Sequence, residues 1–259
     1  MTPTAPPALR AESLTRYYGG LAALESVTFE VTAGLVKAIL GPNGAGKTTL
    51  FDVLTGLQRP TAGRVICDGV DIVGWAPERV VREMRLARTF QDGRTWGQLS
   101  VLDTIRVAGQ VRGHAAPIHQ AAKERGAPSE EGLPADWQAG LLRFVGLDHR
   151  RDSLATHLTH GDQRRLELAR ALATQPRVLL LDEPAAGLDD EDVGDLARII
   201  RELRDGGLTI LLIEHRMPLV LDVADELLVL HLGKVVADGK PDDVRRNPLV
   251  VEVYLGASG

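Results

Sequence analysis

The segment Gly41-Pro42-Asn43-Gly44-Ala45-Gly46-Lys47-Thr48 constrains this chain more than any other. It fits the pattern G-x-x-x-x-G-K-[ST], and its setting fits too, since the apolar run Val36–Leu40 precedes it and a helical pattern opens at Lys47. Glycines let backbone N–H groups curl around phosphate oxygens without Cβ interference, and the helix N-terminus adds positive potential. Lys47 is expected to reach the β- and γ-phosphates of a nucleoside triphosphate and the Thr48 hydroxyl to ligate Mg2+. A dinucleotide fingerprint G-x-G-x-x-G begun at Gly44 fails, because its third glycine position holds Thr49. The alternative is a glycine-rich turn that merely caps a helix.

The surrounding pattern predicts an α/β fold. Val36–Leu40, Val178–Leu181 and Leu208–Ile213 are short apolar runs that suit strands buried on both faces of a parallel sheet. Helical patterns alternate with them: Lys47–Leu54, stopping at Gly56; Gln163–Ala173, rich in Leu, Ala, Arg and Glu; and Asp190–Leu203, with Val193, Leu196, Ile200 and Leu203 on one stripe. Leu9–Val31 and Gly63–Ile72 read instead as an antiparallel sheet beside the core. Leu227–Leu230 and Val235–Ala237, around Gly233, read as a hairpin. Gly109–Pro134 is punctuated by glycine and proline and is expected to be mobile.

Composition narrows the class without naming an activity. An apolar fraction of 44% and a charged fraction of 25% are those of an ordinary globular protein. Thirty basic and 35 acidic residues give a net charge of −5, which argues against a chain that coats nucleic acid or an acidic membrane. The single cysteine, Cys67, excludes a disulfide framework and a Cys-rich metal site, and is expected to be a small core residue. Met1–Pro7 does not read as a signal peptide, and no apolar run approaches the ~18 residues a membrane helix needs. The expectation is a soluble, intracellular chain whose membrane role, if any, comes through a partner.

Val178-Leu179-Leu180-Leu181-Asp182-Glu183 is the second chemical element. Ligands of open α/β sheets sit outside the carboxyl ends of strands, which is where the two carboxylates fall. Asp182 is expected to hold Mg2+ through water, and Glu183 to accept a proton from the attacking water. The alternative is a solvated strand end.

With these motifs in this order, the chain resembles the nucleotide-binding subunit of ATP-binding cassette (ABC) transporters over nearly its whole length. Leu158-Thr159-His160-Gly161-Asp162-Gln163 stands where that family has its L-S-G-G-Q signature; Thr159 keeps the hydroxyl and Gly161 the glycine, while His160 and Asp162 depart. Thr159-x-x-Asp162 is also a capping-box pattern, which would stabilise any helix start. The resemblance implies a P-loop NTPase fold with a RecA-like parallel-sheet core, an antiparallel β subdomain and an α-helical subdomain. It implies one nucleotide-binding domain over 1–259, with the helical part over 92–172 and a C-terminal hairpin and tail over 227–259.

The same resemblance implies roles for further residues. Gln91, in Arg88-Thr89-Phe90-Gln91, would contact Mg2+ or the attacking water. His215, after Leu211-Leu212-Ile213-Glu214, would bond the γ-phosphate and position water. Asp189, in Gly187-Leu188-Asp189, would lie on the loop crossing a dimer interface, or simply cap the following helix. Tyr18 would stack on adenine, with Tyr17 its adjacent competitor. ATP would lie against Gly41, Pro42, Asn43, Gly44, Ala45, Gly46, Lys47, Thr48 and Thr49, with Thr159 and Gly161 serving the nucleotide of the opposite subunit. His149, His157 and His160 lack metal-ligand partners at suitable spacing and read as surface or turn residues.

Ala87–Gln91, Gln163–Glu167, Asp182–Leu188 and the terminal Asn247-Pro248 with Tyr254-Leu255-Gly256 are similar to ATPases of branched-chain amino acid importers and of related amides. That implies a second ATPase subunit, homo- or heterodimeric, transmembrane permease subunits, an extracytoplasmic solute-binding protein reached through the permease, and a place on the cytoplasmic face of the membrane. No nucleic-acid partner is expected. Trp96, in Asp92–Leu99, would help form the groove that receives a cytoplasmic helix of the permease, or else fill the local core. Two alternatives come from other classes: a soluble ABC ATPase of DNA repair or translation, which would carry long coiled-coil, zinc or tandem-cassette insertions, and a small-molecule phosphotransferase, which would lack the signature segment and His215.

Overall fold

In the strands Val36–Leu40 (β3), Val178–Asp182 (β7) and Thr209–Ile213 (β8) every residue is buried, as a parallel sheet covered on both faces requires. The computed structural model describes residues 7–89, 98–112 and 137–256. The remaining strands are Pro7–Tyr18 (β1), Leu21–Thr32 (β2), Ala62–Cys67 (β4), Val70–Asp71 (β5), Leu86–Arg88 (β6), Glu226–His231 (β9) and Lys234–Gly239 (β10). One sheet runs β10-β9-β3-β8-β7-β6, and β9, β3, β8, β7 and β6 are mutually parallel along it. A second, antiparallel sheet runs β2-β1-β4-β5.

The helices are Lys47–Leu54 (α1), Pro77–Arg79 (α2), Val101–Gly109 (α3), Trp137–Phe144 (α4), His160–Ala173 (α5), Asp190–Asp205 (α6), Met217–Val223 (α7), Pro241–Arg245 (α8) and Pro248–Gly256 (α9). Helix α5 begins three residues before the predicted Gln163, because Thr159 supplies an N-cap that accepts the Asp162 N–H at 3.2 Å. Helix α6 runs two residues past Leu203 and stops at the Gly206-Gly207 pair, where Gly207 takes φ +89°.

Strand alternation splits the core in two. Val178, Leu180, Leu211, Ile213, Leu228 and Leu230 face the antiparallel sheet together with α1 and its Leu50, Phe51 and Leu54. Leu179, Leu181, Ile210, Leu212, Leu227 and Val229 face α6 and α7 through Leu196, Ile200, Leu219 and Val220. Cys67 is fully buried in the first of these clusters. A third cluster joins α3, α4 and α5 through Val101, Ile105, Leu142, Leu147, Leu166 and Ala169.

Two features of the central sheet go beyond the sequence reading. Leu86–Arg88, given no element from sequence, is an edge strand pairing in parallel with Val178–Leu180; three residues are too few to show a period. The hairpin near the end is antiparallel as expected, yet its first strand also pairs in parallel with β3 and belongs to the central sheet. Most of the punctuated segment Gly109–Pro134 lies outside the described residues, as do Gln91 and Trp96.

Candidate functional site

The phosphate loop joins β3 to α1, and two of its glycines, Gly41 and Gly46, are fixed by close backbone approach. Gly46, at φ +103°, would place a Cβ 2.4 Å from the Ala23 carbonyl oxygen; at Gly41 a Cβ would meet the Leu230 carbonyl oxygen at 2.2 Å. Strands β2 and β9 therefore press directly on the loop, and the Ala45 carbonyl accepts the Gly233 N–H at 3.0 Å. Helix α1 starts without a side-chain cap, so its first N–H groups are available to an anion. Pro42 is half-buried, Asn43, Gly44 and Thr48 are exposed, and Thr49 is half-buried.

Lys47 is buried and turns back over this loop, where its ammonium donates to the Gly41 and Pro42 carbonyls at 2.7 and 3.1 Å. Burial lowers its pKa, while the Glu183 and Asp182 carboxylates oppose that shift. A cation beside a cradle of backbone donors matches a triphosphate in charge.

Asp182 ends β7, buried, and burial raises its pKa against the Arg88 guanidinium, which donates to it at 2.8 Å. The Thr89 hydroxyl accepts its backbone N–H at 3.2 Å. Glu183 follows in the left-handed region at φ +47°, and its N–H bonds the Ile213 carbonyl at 2.9 Å. Because β7 and β8 pair in parallel, with Asp182 opposite Ile213, the two strands release their chains side by side. His215 thereby meets Glu183, its Nε2 lying 2.9 Å from Oε1.

Among the described residues no three His, Cys, Asp or Glu side chains gather as a metal cage. Beside Lys47 stand the Thr48 hydroxyl and the carboxylates of Asp182 and Glu183. Such a sparse all-oxygen set suits magnesium, which completes its shell with phosphate oxygens and water.

The signature segment lies on α5. Thr159 and His160 are exposed at its start, and Gly161 is buried against Asp192, where a Cβ would stand 2.4 Å from Oδ2. Only half of the capping box forms: Thr159 accepts the Asp162 N–H, and the Asp162 carboxylate lies 3.9 Å from Arg150. Arg165 donates to Asp192 and Asp195 at 2.7 and 2.9 Å, tying α5 to α6. Asp189 is the N-cap of α6, accepting the Asp192 N–H at 2.9 Å. The His160 ring packs on Gly187, where a Cβ would lie 2.9 Å from Cε1.

Tyr18 and Tyr17 are both about half exposed at the end of β1. The Arg16 guanidinium lies 4.7 Å from the Tyr18 ring centre, whereas Tyr17 donates its N–H to Thr61. Strand β2, opened by the Tyr18–Leu21 turn, is the one that touches the phosphate loop at Ala23.

Two charged groups given no role from sequence sit among these residues. Arg88 bridges Asp182 on β7 and Asp52 on α1, at 2.8 and 2.6 Å. Glu214 is buried between the loops that carry Glu183 and His215. Both stand inside motifs read for other members, and Asp52, Asp182 and Ala185, to which they bond, are distant from them in sequence, so no spacing announces them.

A family model described as ABC transporter matches residues 24–186, and one described as branched-chain amino acid ATP-binding cassette transporter matches residues 234–259. The chain is 38% identical to the high-affinity branched-chain amino acid transport ATP-binding protein BraF of Pseudomonas aeruginosa, covering 96% of this chain and 98% of that protein. It is equally 38% identical to the corresponding LivG of Escherichia coli, with the same coverage. Among solved structures, the ADP conformation of MJ1267, an ATP-binding cassette of an ABC transporter, superposes with a TM-score of 0.81 at 32% identity, covering 97% of this chain and 100% of that one.

Proposed function

Since this chain belongs to the ABC transporter ATP-binding family, we propose that it is the ATP-hydrolysing subunit of an importer of branched-chain amino acids or related amides. The observation that carries the catalytic reading is the Glu183–His215 contact at the carboxyl ends of β7 and β8, where Lys47 also feels the Glu183 charge.

ATP is held by the backbone N–H groups of the Gly41–Thr49 loop, Pro42 excepted, with Lys47 moving from the loop carbonyls onto the β- and γ-phosphates and Tyr18 against the adenine. Thr48 and Asp182, with Gln91, would hold Mg2+, which would neutralise charge on the β- and γ-oxygens. Glu183 accepts the proton of the water that attacks the γ-phosphorus, while the bond to the ADP oxygen breaks. His215 fixes Glu183 and bonds the γ-phosphate, and Lys47 stabilises the spreading negative charge.

The chain forms one nucleotide-binding domain and closes on ATP with a second ATPase subunit, like or unlike itself. Thr159, Gly161 and Asp189 face the partner's nucleotide across that interface. No helix among the described residues is long and apolar enough to cross a membrane, so this reading places transport in separate permease subunits. The permease receives solute from an extracytoplasmic binding protein and docks this chain on the cytoplasmic face, with Trp96 in the docking groove.

The test is ATP-dependent uptake of labelled leucine by vesicles holding the chain, its permease and its binding protein. Uptake is expected with the native chain and absent with Glu183→Gln. Uptake of another solute but not of leucine would overturn the solute while leaving the ATPase standing.

A further inference from the structure

Glu214 is an acid with 3% exposure and no part in the chemistry above. Its Oε2 accepts the N–H of Ala185 at 3.1 Å, and its Oε1 accepts those of His215 and Arg216 at 2.8 and 3.1 Å. A buried carboxylate is tolerated only where donors surround it, and here they come from two loops that leave adjacent strands. Arg216 adds two bonds of the opposite sense, donating to the Leu188 carbonyl at 3.0 Å and to the Asp190 carboxylate at 2.8 Å. Residues 214–216 thus grip residues 185–190 at three places.

The catalytic pair lies within this grip. Glu183 stands two residues before Ala185 and His215 directly after Glu214, so the bond from Ala185 to Glu214, with the two that Arg216 donates, sets how far apart the two loops can be. We infer that Glu214, assisted by Arg216, is a positioning residue that holds His215 against Glu183 and couples both to the 185–190 loop. A shift of that loop, of the kind a closing partner subunit would impose, then moves the pair as a unit. This inference rests on the catalytic reading of Glu183 and His215.

Glu214→Gln keeps the volume but replaces one acceptor oxygen by an NH2 donor, so one of the two loops loses its anchor. Turnover of the full chain is expected to fall about a hundredfold, while affinity for a fluorescent ATP analogue with magnesium stays within about twofold. Added to His215→Ala, the same substitution is expected to cost less than about threefold more, because both act through one pair. An equal loss in both backgrounds, unchanged turnover, or a joint collapse of turnover and nucleotide affinity overturns the inference. Should Glu214→Gln fail to fold, Arg216→Gln carries the test from a partly exposed side chain: turnover falling several-fold at constant nucleotide affinity supports the coupling, and unchanged turnover removes it. Full turnover by His215→Ala alone would instead overturn the catalytic reading, and this inference with it.

Discussion

Nε2 of His215 stands 2.9 Å from Oε1 of Glu183 across 32 residues of sequence. An imidazole N–H at Nε2 donates to the Glu183 carboxyl group and aims it. Glu183→Gln keeps the shape and removes the base. Nucleotide binding should persist while turnover falls by about 10²–10⁴-fold. Size-exclusion chromatography with ATP should then show an accumulated dimer, and normal turnover would remove Glu183 from its role.

Gly46→Ala tests the loop rather than the chemistry. The added methyl meets the Ala23 carbonyl oxygen at 2.4 Å in a backbone held at φ +103°. Strain of about 1–3 kcal/mol is expected, and the cradle should distort with it. Thermal melting should fall and binding of a fluorescent nucleotide should weaken together.

Leu180 and Leu232 provide a matched pair for stability. Leu180 is fully buried in the central sheet, whereas Leu232 is 70% exposed in the β9–β10 turn. Leu180→Ala should cost about 2–5 kcal/mol in urea unfolding. Leu232→Ala should stay within about 0.5 kcal/mol of the parent.

Cys67 should be inert in the folded chain. Burial first, and then the neighbouring Asp68, push its thiol up to about 12, so almost no thiolate exists near neutrality. Ellman's reagent at pH 8 should find no reactive thiol until denaturant is added.

Glu167 supplies a pH test. Burial raises its pKa, with the Arg164 guanidinium at 3.0 Å opposing. The folded chain then binds that proton more tightly than the unfolded one, so this group's contribution falls as pH rises from the ordinary glutamate range through the raised value. The stability difference between parent and Glu167→Gln should slope with pH across that window and flatten above it, as read by urea unfolding from pH 4 upward. A difference that does not vary with pH would mean the charge is not penalised by burial.

Local signals carried much of the architecture. The phosphate loop is contiguous, and its strand, glycines and following helix each leave a mark within a dozen residues of one another. The three largely apolar runs were visible because strands covered on both faces need no polar alternation. The edge strand at Leu86–Arg88 was not, since its pairing to Val178–Leu180 is the only thing that defines it.

Sequence by itself determined the chemical inventory: a phosphate-binding turn, a buried strand ending in two carboxylates, a histidine after another such strand, and a threonine ready to cap a helix. Strand order decided which of these touch. Placing β7 between β8 and β6 brings His215 onto Glu183 from one side, and Arg88 onto Asp182, 94 residues away, from the other. Glu214 became legible only there, because one of the donors that make its burial tolerable, the Ala185 N–H, comes from the loop after the neighbouring strand, 29 residues away along the chain.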